Sequence, residues 1–456
     1  MTLLDLLTDH PFSDDEALVH TVDRALTKTE MVDRVTILGR QLGRETPEAC
    51  AVAIVGDGLA ALIGMFACWH AGRVFVPINP RQPASAIDDA VERSNAAATV
   101  MGDVIGGVAP SRPTEWPADT AMMLWTSGTT GTPKPILHAH AAYRELIDRV
   151  LAPLKGEANA AARWPPSPNL IPVSLALNAG IYNALFGLRA GAPLVLMDRF
   201  STAEFTTLVR RHKIRSTVLP PAAIAMLNED VTIDSLAPLR YVRSITAPLS
   251  PFQATRFTER FDAFVLNSYG QAEIGEVIGW TSADARAHPD KIGAAGRPHA
   301  GVDVTIDQPD ANDVGQLLVR PPNHAVDLPP DRLTNDGFIR TGDLARVDPE
   351  GFVWIEGRLS DLINRGGNKV FPDEVEEVLA AVPGVTEVSV VGRADDRLGQ
   401  VPVAVIVGDA PDEALESAAR AHLVAYKVPV EFVRRAELPR SAAGKVLRRQ
   451  LVEEIS

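Results

Sequence analysis

A stretch rich in hydroxyl groups and glycine, Thr126–Lys134 with the sequence TSGTTGTPK, is the segment best suited to hold phosphate. Its backbone N–H and hydroxyl donors carry little steric bulk, and Lys134 adds a positive charge, which together suit phosphate oxygens. The Walker A spacing is not met, because Gly128 and Gly131 are too close and Pro133 precedes the lysine. Taken alone, a tract of this composition is more often a flexible polar loop.

Three more charged residues could act on an anionic ligand, and each also has an ordinary structural explanation. Glu273 ends the segment NSYGQAE and could be a surface or capping carboxylate. Asp343 follows a strand-like run at a Thr-Gly turn, where an aspartate often caps the turn. Lys445 lies in a basic tail that could be a solvated face. Each residue by itself leaves both interpretations open.

Taken in order along the chain, these segments resemble the motifs of the adenylate-forming superfamily, which contains acyl- and aryl-CoA synthetases, nonribosomal peptide adenylation domains and luciferases. The matching segments are TSGTTGTPK, NSYGQAE at 267–273, RTGD at 340–343, GR at 357–358 with DLINRGG at 361–367, and PRSAAGK at 439–445. The resemblance covers nearly the whole chain. It implies an AMP-forming acid–thiol ligase that is most like an acyl-CoA synthetase. Such an enzyme makes an acyl-adenylate from a carboxylic acid and ATP with release of pyrophosphate, and then passes the acyl group to the thiol of coenzyme A.

The resemblance also implies roles for individual residues. Thr126, Glu273 and Lys445 would be catalytic, with Glu273 as a ligand of Mg²⁺ and Lys445 against the acid and the α-phosphate. Tyr269 would stack on adenine, and Asp343 would accept hydrogen bonds from the ribose. The full set expected to bind ATP is Thr126, Ser127, Gly128, Thr129, Thr130, Gly131, Lys134, Ala247, Pro248, Ser268, Tyr269, Gly270, Gln271, Asp343, Ile355, Arg358 and Lys369.

The same resemblance predicts that the second half-reaction uses a rotated C-terminal domain. Lys445 would withdraw, and the loop of Arg365, Gly366 and Gly367 would approach the thiol tunnel, where glycine lets the backbone come close to pantetheine. The hinge would be Ser360, a position where relatives usually carry Asp or Lys. This departure leaves the energetics of the rotation open.

Departures from the family pattern concern the acid. The aromatic-His pair of many acyl-CoA synthetases is absent, and Ile245-Thr246 replace the usual Gly-Gly. The Gly-Tyr segment expected after the strand at 316–320 is also absent, as is an aspartate to read an α-amino group. The predicted pocket lining is Leu175, Ala176, Ala179, Ile245 and Thr246, which favours an aliphatic or aromatic acid. Packing in the core explains the same residues about as well.

The elements that must position these residues follow an α/β pattern. Strand-like and helical segments alternate over the first two thirds of the chain, which predicts parallel sheets covered by crossover helices. Short strands separated by turns predict a small β-barrel-like subdomain at about 300–358. We therefore expect an N-terminal domain at 1–358 that binds ATP and the acid, and a smaller mobile α+β domain at 359–456.

Composition excludes several other classes of protein. The 456 residues are 46% hydrophobic and 22% charged, as in an ordinary globular protein. Lys+Arg 44 against Asp+Glu 58 leaves a net charge of −14, which argues against nucleic-acid binding. We expect Cys50 and Cys68 to be reduced thiols. The sequence shows neither a secretory signal nor a run long enough to span a membrane, so a cytoplasmic protein is expected. It is expected to be a monomer or a homodimer, and the sequence does not distinguish the two.

Other functions remain open at the level of sequence. A relative could load the phosphopantetheine of a carrier protein, could bind nucleotide without catalysis, or could oxidise the adenylate as luciferases do. The pair His138 and His140 also suggests a metal site, but the sequence shows no third ligand.

Overall fold

Helices and strands alternate over the first two thirds of the chain and give way to mostly antiparallel strands near residue 300. The computed structural model describes residues 2–102, 104–108, 116–126, 134–157, 166–246, 249, 251–440 and 446–455, with the backbone alone at 126 and 153–157. This order confirms the predicted α/β class. Within the described residues, no helix has both the length and the apolar character needed to cross a membrane.

The helices are mostly amphipathic or wholly apolar, and several have clear start signals. Thr27 and Glu30 form a capping box at the start of α2, and Pro221 and Pro372 begin their helices at the position where proline is favoured. The helices are α1 Asp5–Thr8, α2 Lys28–Glu45, α3 Gly58–His70, α4 Ala84–Ser94, α5 His140–Glu157, α6 Asn178–Arg189, α7 Thr202–Arg211, α8 Pro221–Glu229, α9 Pro251–Phe261, α10 Ser282–Ala287, α11 Pro372–Ala380, α12 Asp412–His422 and α13 Arg448–Ile455.

Among the described residues, the strands fall into five sheets. Those of the first two sheets are β1 Ala17–His20, β2 Ala25–Thr27, β3 Ala51–Val55, β4 Val74–Ile78, β5 Ala98–Met101, β6 Val104–Gly107, β7 Thr120–Thr126, β8 Lys134–Ala139, β9 Asn169–Ile171, β10 Leu194–Leu196, β11 Ser216–Leu219, β12 Tyr241–Ser244 and β13 Phe264–Asn267. The remaining strands are β14 Tyr269–Gln271, β15 Gly275–Gly279, β16 Arg297–Pro298, β17 Asp303–Asp307, β18 Gly315–Arg320, β19 Ile339–Val347, β20 Val353–Arg358, β21 Ile363–Arg365, β22 Asn368–Val370, β23 Val385–Asp395, β24 Gly399–Gly408 and β25 Glu431–Arg434.

Two mainly parallel sheets form the body of the N-terminal part. One has the order β6-β5-β3-β4-β7-β8 and the other β13-β12-β11-β9-β10-β1-β2, with antiparallel pairing at the edges. Every residue of β3 and β4 is buried, as expected for parallel strands covered on both faces. Ile54, Leu62, Leu185 and Leu194 belong to one hydrophobic cluster, so the two sheets share a core through α3 and α6.

The region that the sequence predicted to be β-rich is antiparallel in the structure. Strands β17 to β20 form a four-stranded sheet, and β14 to β16 form a three-stranded sheet beside it. Ile278, Val319 and Val353 pack in one cluster that joins the two sheets. The two sheets therefore form one β-rich unit with a shared core.

The C-terminal part has its own sheet and its own core. Its strands have the order β22-β21-β24-β23 with β25 on β24, and α11 and α12 pack on them through Val375, Leu379 and Leu415. Every strand of this sheet lies after residue 361. The domain boundary at 358/359 stays a prediction, since it depends on rotation as well as on architecture.

The connection after the phosphate-loop candidate contains a strand that the sequence did not predict, since β8 pairs antiparallel with β7 before α5 begins. Asp343, which was expected at a turn, lies instead within β19, which continues through it to Val347. Gly342 has φ +77°, a conformation that glycine adopts without strain, and this allows the irregular strand to continue.

Candidate functional site

The hairpin of β7 and β8 holds the ends of the candidate phosphate loop. Thr126 pairs with Lys134 in the antiparallel register, and Lys134 is exposed. The loop residues between them, Ser127, Gly128, Thr129, Thr130 and Gly131, lie outside the described residues, as does the side chain of Thr126. Their phosphate-binding role stays a prediction. The hairpin nevertheless fixes both ends of the loop at the edge of the six-stranded sheet.

A group of four residues that we call the Asp343 cluster (Tyr269, Gln271, Asp343 and Arg358) forms the best-ordered polar part of the site. The Tyr269 hydroxyl donates to Asp343 Oδ2 at 2.5 Å, and Gln271 Nε2 donates to the same oxygen at 2.9 Å. Arg358 Nε lies 3.1 Å from Asp343 Oδ1. Asp343 is 4% exposed, so its charge is held by these partners. The cluster brings together four residues that the sequence assigned to ATP binding.

Local structure explains why these side chains meet. Tyr269 and Gln271 are two residues apart on β14, so both project to the same face. Asp343 on β19 faces Arg358 on β20 as a register partner. Burial raises the pKa of Tyr269 well above its usual value, and the neighbouring Asp343 charge adds to the shift, so the hydroxyl remains a donor.

Glu273, the predicted Mg²⁺ ligand, follows β14 directly and pairs with an arginine that sequence reasoning missed. Arg332 Nη1 lies 2.7 Å from Glu273 Oε1, and Arg332 Nη2 donates to Gln271 Oε1 at 2.6 Å. Arg332 lies in a segment without periodic pattern and meets Glu273 across 59 residues, so no sequence signal predicted the pair.

The donor set around Glu273 fits a hard cation that also binds phosphate. Glu273 Oε2 makes no hydrogen bond or ion pair within the described part of the chain, and a carboxylate oxygen is a ligand that Mg²⁺ prefers. Among the described residues, no group of three His, Cys, Asp or Glu side chains is placed to hold a metal. One carboxylate with phosphate oxygens and water is the usual arrangement for nucleotide-bound Mg²⁺.

The two histidines beside this region serve separate structural roles. His138 Nε2 lies 2.8 Å from the carbonyl oxygen of Ala272, and His140 Nδ1 accepts from the backbone N–H of Leu3. Burial lowers the pKa of His138 to about 4, so its ring is neutral at pH 7. A neutral ring donates from Nε2 to the Ala272 carbonyl and so supports the loop that carries Glu273.

The predicted acid pocket divides into buried and accessible residues. Leu175 and Ala176 are 2% and 8% exposed, and Leu175 belongs to the main hydrophobic core. Ala179, Ile245 and Thr246 are half-buried. The last three residues are therefore the better candidates for contact with an acid, while Ala247 and Pro248 lie outside the described residues.

Thr246 has a backbone conformation that its side chain disfavours. Its φ is +76°, in the left-handed region, and for a β-branched residue this is rare. Next to it, Ser268 Oγ donates to the carbonyl oxygen of Ser244, which ties the ends of β12 and β13 together. Glycine adopts this conformation without strain, so Thr246 places a bulky side chain in a turn that favours glycine.

Sequence reasoning also missed a polar cluster beside the predicted acid pocket. Glu276 Oε2 lies 3.1 Å from Arg243 Nη1, and its Oε1 lies 2.9 Å from His299 Nε2. Burial raises the pKa of Tyr182, which lies one helical turn after Ala179 on α6, and the neighbouring Glu276 charge adds to the shift. Burial opposes ionisation of Glu276, but Arg243 and His299 outweigh it and lower its pKa. Arg243, Glu276 and His299 lie far apart in the sequence, so no local pattern predicted this cluster.

The expected site residues that lie in the C-terminal part are mostly exposed. Lys369 is exposed on β22, and Gly366 and Gly367 have φ of +59° and +89°, which glycine readily adopts. Arg365 donates to the carbonyl oxygens of Tyr426 and Val428, so its guanidinium is bound within the C-terminal part. Lys445 lies outside the described residues.

The remaining expected residues occupy the junction and its surroundings. Gly270 packs so closely on Gly275 that an added Cβ would lie 2.1 Å from its carbonyl oxygen. Ile355 on β20 is half-buried against the β-rich core. Ser360, the predicted hinge, lies in a short 3₁₀ helix and donates to Asp361. Arg448 pairs with Asp361 at 3.1 Å, so α13 is linked to the hinge region.

Comparison with known proteins identifies the class. The model of the AMP-binding enzyme family matches residues 105–326, and the model of the AMP-binding enzyme C-terminal domain matches residues 374–445. The two matches cover more than half of the chain, which therefore belongs to the AMP-binding enzyme family. This confirms the predicted membership of the adenylate-forming superfamily and the prediction that the chain is a ligase.

Individual relatives agree with this class. The chain is 33% identical to a sulfoacetate–CoA ligase of Cupriavidus necator, over 75% of this chain and 68% of that protein. It is 32% identical to an indoleacetate–CoA ligase of Aromatoleum aromaticum, over 76% and 70%. The fold matches ATP-bound MatB from Rhodopseudomonas palustris with a TM-score of 0.86, 22% identity and coverage of 100% and 99%. It also matches MenE from Bacillus subtilis in complex with ATP and magnesium ion, with a TM-score of 0.84, 24% identity and coverage of 98% and 99%.

Proposed function

We propose that this protein is an ATP- and Mg²⁺-dependent carboxylic acid:CoA ligase that works in two half-reactions. In the first, an oxygen of the acid attacks the α-phosphorus of ATP, the bond to the β-phosphate oxygen breaks, and acyl-AMP and pyrophosphate form. In the second, the sulfur of CoA attacks the acyl carbon, AMP leaves, and the thiol proton passes to solvent. The observation that carries the proposal is the Asp343 cluster, assembled in a chain of the AMP-binding enzyme family.

The Asp343 cluster supports nucleotide binding through the ribose. A carboxylate offers about four lone-pair sites, and the three partners of Asp343 leave capacity for a further donor such as a ribose hydroxyl. Tyr269 holds this carboxylate from one side, and Arg358 lies beside it with its side chain 42% exposed, within reach of a phosphate or ribose oxygen. Binding would thus need little rearrangement of this side of the site.

Catalysis in the first half-reaction must overcome repulsion between two anions. Mg²⁺ would neutralise phosphate charge when held by Glu273 and the nucleotide. The hydroxyl-rich loop from Thr126 to Lys134 would align the β- and γ-phosphates, and Lys445 would bring a point charge to the α-phosphate and the acid. These groups act through position and charge, and none of them needs to form a covalent bond.

The second half-reaction would use a different face of the C-terminal part. The turn of Gly366 and Gly367 would approach the thiol, because its backbone is exposed at the tip of the hairpin of β21 and β22. Ser360 would absorb the rotation, because it is small and lies in a single 3₁₀ turn between the two parts.

The acid is proposed to have an apolar body with room for a polar group. Ala179, Ile245 and Thr246 provide a half-buried and mainly apolar lining, whereas Arg243 and Glu276 bring charge nearby. The relatives are named for sulfoacetate and for indoleacetate, which differ in size and polarity. A test panel must therefore contain both apolar acids and acids with a second polar group.

The decisive experiment is acid-dependent exchange between ATP and labelled pyrophosphate over that panel, followed by mass spectrometry of the acyl products. We expect exchange with at least one acid and formation of its acyl-CoA when free CoA is added. ATP binding with no exchange for any acid would instead indicate a nucleotide-binding protein without catalysis. Acyl-AMP that forms but is transferred to a phosphopantetheinyl carrier protein and not to CoA would identify a carrier-loading enzyme.

A further inference from the structure

The segment between β18 and β19 takes an unexpected path across the nucleotide site. Here the family's Gly-Tyr segment is absent, and the chain instead runs along β8. The backbone N–H of Ala325 donates to the carbonyl oxygen of Glu273 at 2.7 Å, and the N–H of Val326 donates to Leu137 at 2.9 Å. Asp327 accepts from the N–H of Leu137 at 3.1 Å. These bonds attach the segment to the strand that follows the phosphate loop and to Glu273 itself.

This attachment brings Arg332 to the site with its guanidinium bound at three points. Nη1 contacts Glu273 Oε1 at 2.7 Å, Nη2 donates to Gln271 Oε1 at 2.6 Å, and Nε donates to the carbonyl oxygen of Arg340 at 3.1 Å. The Arg332 and Glu273 side chains are 21% and 17% exposed, so the pair is largely removed from solvent. A planar guanidinium held at three points is fixed in orientation and not merely in position.

The same guanidinium connects two functional carboxylates. Gln271 accepts from Arg332 with its oxygen and donates with its nitrogen to Asp343 at 2.9 Å, so its amide is locked at both ends. Arg332 therefore links the residue that would hold Mg²⁺ with the residue that would bind the ribose. Both ends of a bound nucleotide would meet groups whose orientation depends on one side chain.

We propose that Arg332 is a positioning residue for Mg²⁺-ATP: it holds Glu273 Oε1 so that Oε2 serves the cation, and it aligns Gln271 with Asp343. This inference rests on the proposed function but concerns nucleotide binding alone. Its rival is that Arg332 competes with Mg²⁺ for Glu273. Competition would require the guanidinium to leave, and three hydrogen bonds oppose that movement.

The test is calorimetric titration of ATP into the full-length protein at a series of Mg²⁺ concentrations, without acid or CoA. For Arg332→Gln we expect the Mg²⁺ concentration that gives half-maximal ATP binding to rise about tenfold, the loss typical of one charge-assisted hydrogen bond. Binding of AMP without Mg²⁺ should weaken less, about threefold, because only the Gln271 contact is disturbed. Arg332→Lys keeps the charge but not the fork, and we expect it to recover only part of the loss.

Arg320→Gln is the matched control. Arg320 also forms an ion pair with a carboxylate of the β-rich region, but its pair with Asp303 is exposed to solvent. It should leave the Mg²⁺ dependence unchanged. A folded Arg332→Gln protein with an unchanged or lower Mg²⁺ requirement would overturn the inference, the latter in favour of competition. If the unaltered protein itself fails to bind ATP with Mg²⁺, the proposed function fails instead, so the two failures are distinguishable.

Discussion

The two sides of the candidate site are built in different ways. On the N-terminal side, the Asp343 cluster is centred on a carboxylate that is 4% exposed, and each member is bound to another. On the C-terminal side, the hairpin of β21 and β22 presents the exposed Lys369 and a turn of two glycines. Among the described residues, its Arg365 is bound to backbone within the C-terminal part.

This difference indicates a division of labour. A cluster whose side chains are bonded to one another is pre-organised, because these side chains lose little further freedom when a nucleotide binds. An exposed hairpin acquires a defined position only through movement of the part that carries it. We therefore expect substitutions in the Asp343 cluster to affect both half-reactions, and substitutions in the C-terminal part to affect one.

The largest effect is expected for Lys445→Ala. The lysine would stabilise charge only while acyl-AMP forms, so adenylation should slow by about 100-fold or more. Thioester formation from supplied acyl-AMP should be nearly unchanged. Pyrophosphate exchange and single-turnover transfer to CoA measure the two steps separately, with Lys213→Ala as a control at an exposed lysine outside the site. Equal losses in both steps would contradict the division of labour.

Asp343→Asn tests the other side of the comparison. The substitution keeps the shape but removes the charge that Arg358 and the ribose would share, so kcat/KM for ATP should fall about 10- to 100-fold. Transfer from supplied acyl-AMP should weaken as well, because the adenylate carries the same ribose. Asp303→Asn, at an exposed carboxylate of β17, is the control. A loss confined to adenylation would show that the cluster is not shared by both steps.

The sequence predicted the fold well where one local rule dominated. The apolar run Ala51–Val55 is typical of a strand covered on both faces of a parallel sheet, and it forms β3 with these bounds. Strand β8 was missed, because its Pro135 and His138 weaken the alternating pattern of a strand. Asp343 was misplaced at a turn because the Thr-Gly pair normally ends a strand, whereas here Gly342 lets it continue.

The candidate site likewise contains residues that the sequence predicted and one that it did not predict. Tyr269, Gln271, Asp343 and Arg358 lie in recognisable motifs, and the structure brings all four together. Arg332 could not be predicted, since its partner Glu273 is 59 residues away and its own segment follows no motif. Such long-range ionic contacts depend on the path of an irregular connection, which no local pattern specifies.

A smaller effect is expected at Thr246, where the backbone of the N-terminal side is strained. Its φ of +76° is unfavourable for a β-branched residue, and Thr246→Gly relieves this strain. The relief offsets the conformational entropy that a glycine loses on folding. The free energy of unfolding should change by less than about 1 kcal/mol, whereas Ser244→Gly in the extended strand β12 should lose about 1 kcal/mol or more. Denaturant titration measures both. The variant should also accept bulkier acids in pyrophosphate exchange, and a loss of more than about 2 kcal/mol would show that the Thr246 side chain is required for packing.

The smallest effect is expected at the junction of the two sides, where carboxylates from both face each other. Burial raises the pKa of Glu356 on β20, Arg346 opposes the shift, and Glu374 on α11 adds to it. Burial, Glu356 and Glu374 likewise raise the pKa of Glu377. A carboxyl whose pKa is raised in the contact binds its proton more readily there than when the two parts are apart. The contact should therefore be strongest at low pH and weaken as the pH rises through the raised pKa values.

Glu377→Gln should reduce this pH dependence, because it removes one of the charges that repel one another across the junction. Limited proteolysis near 359–361 reports opening, and cleavage of the unaltered protein should accelerate from pH 5 to pH 7 more than cleavage of the variant. Glu413→Gln, on the exposed face of α12, is the control. Identical pH profiles for all three proteins would show that these carboxylates do not bias the junction, and the contrast between a fixed and a moving side would then depend on Ser360 and its neighbours alone.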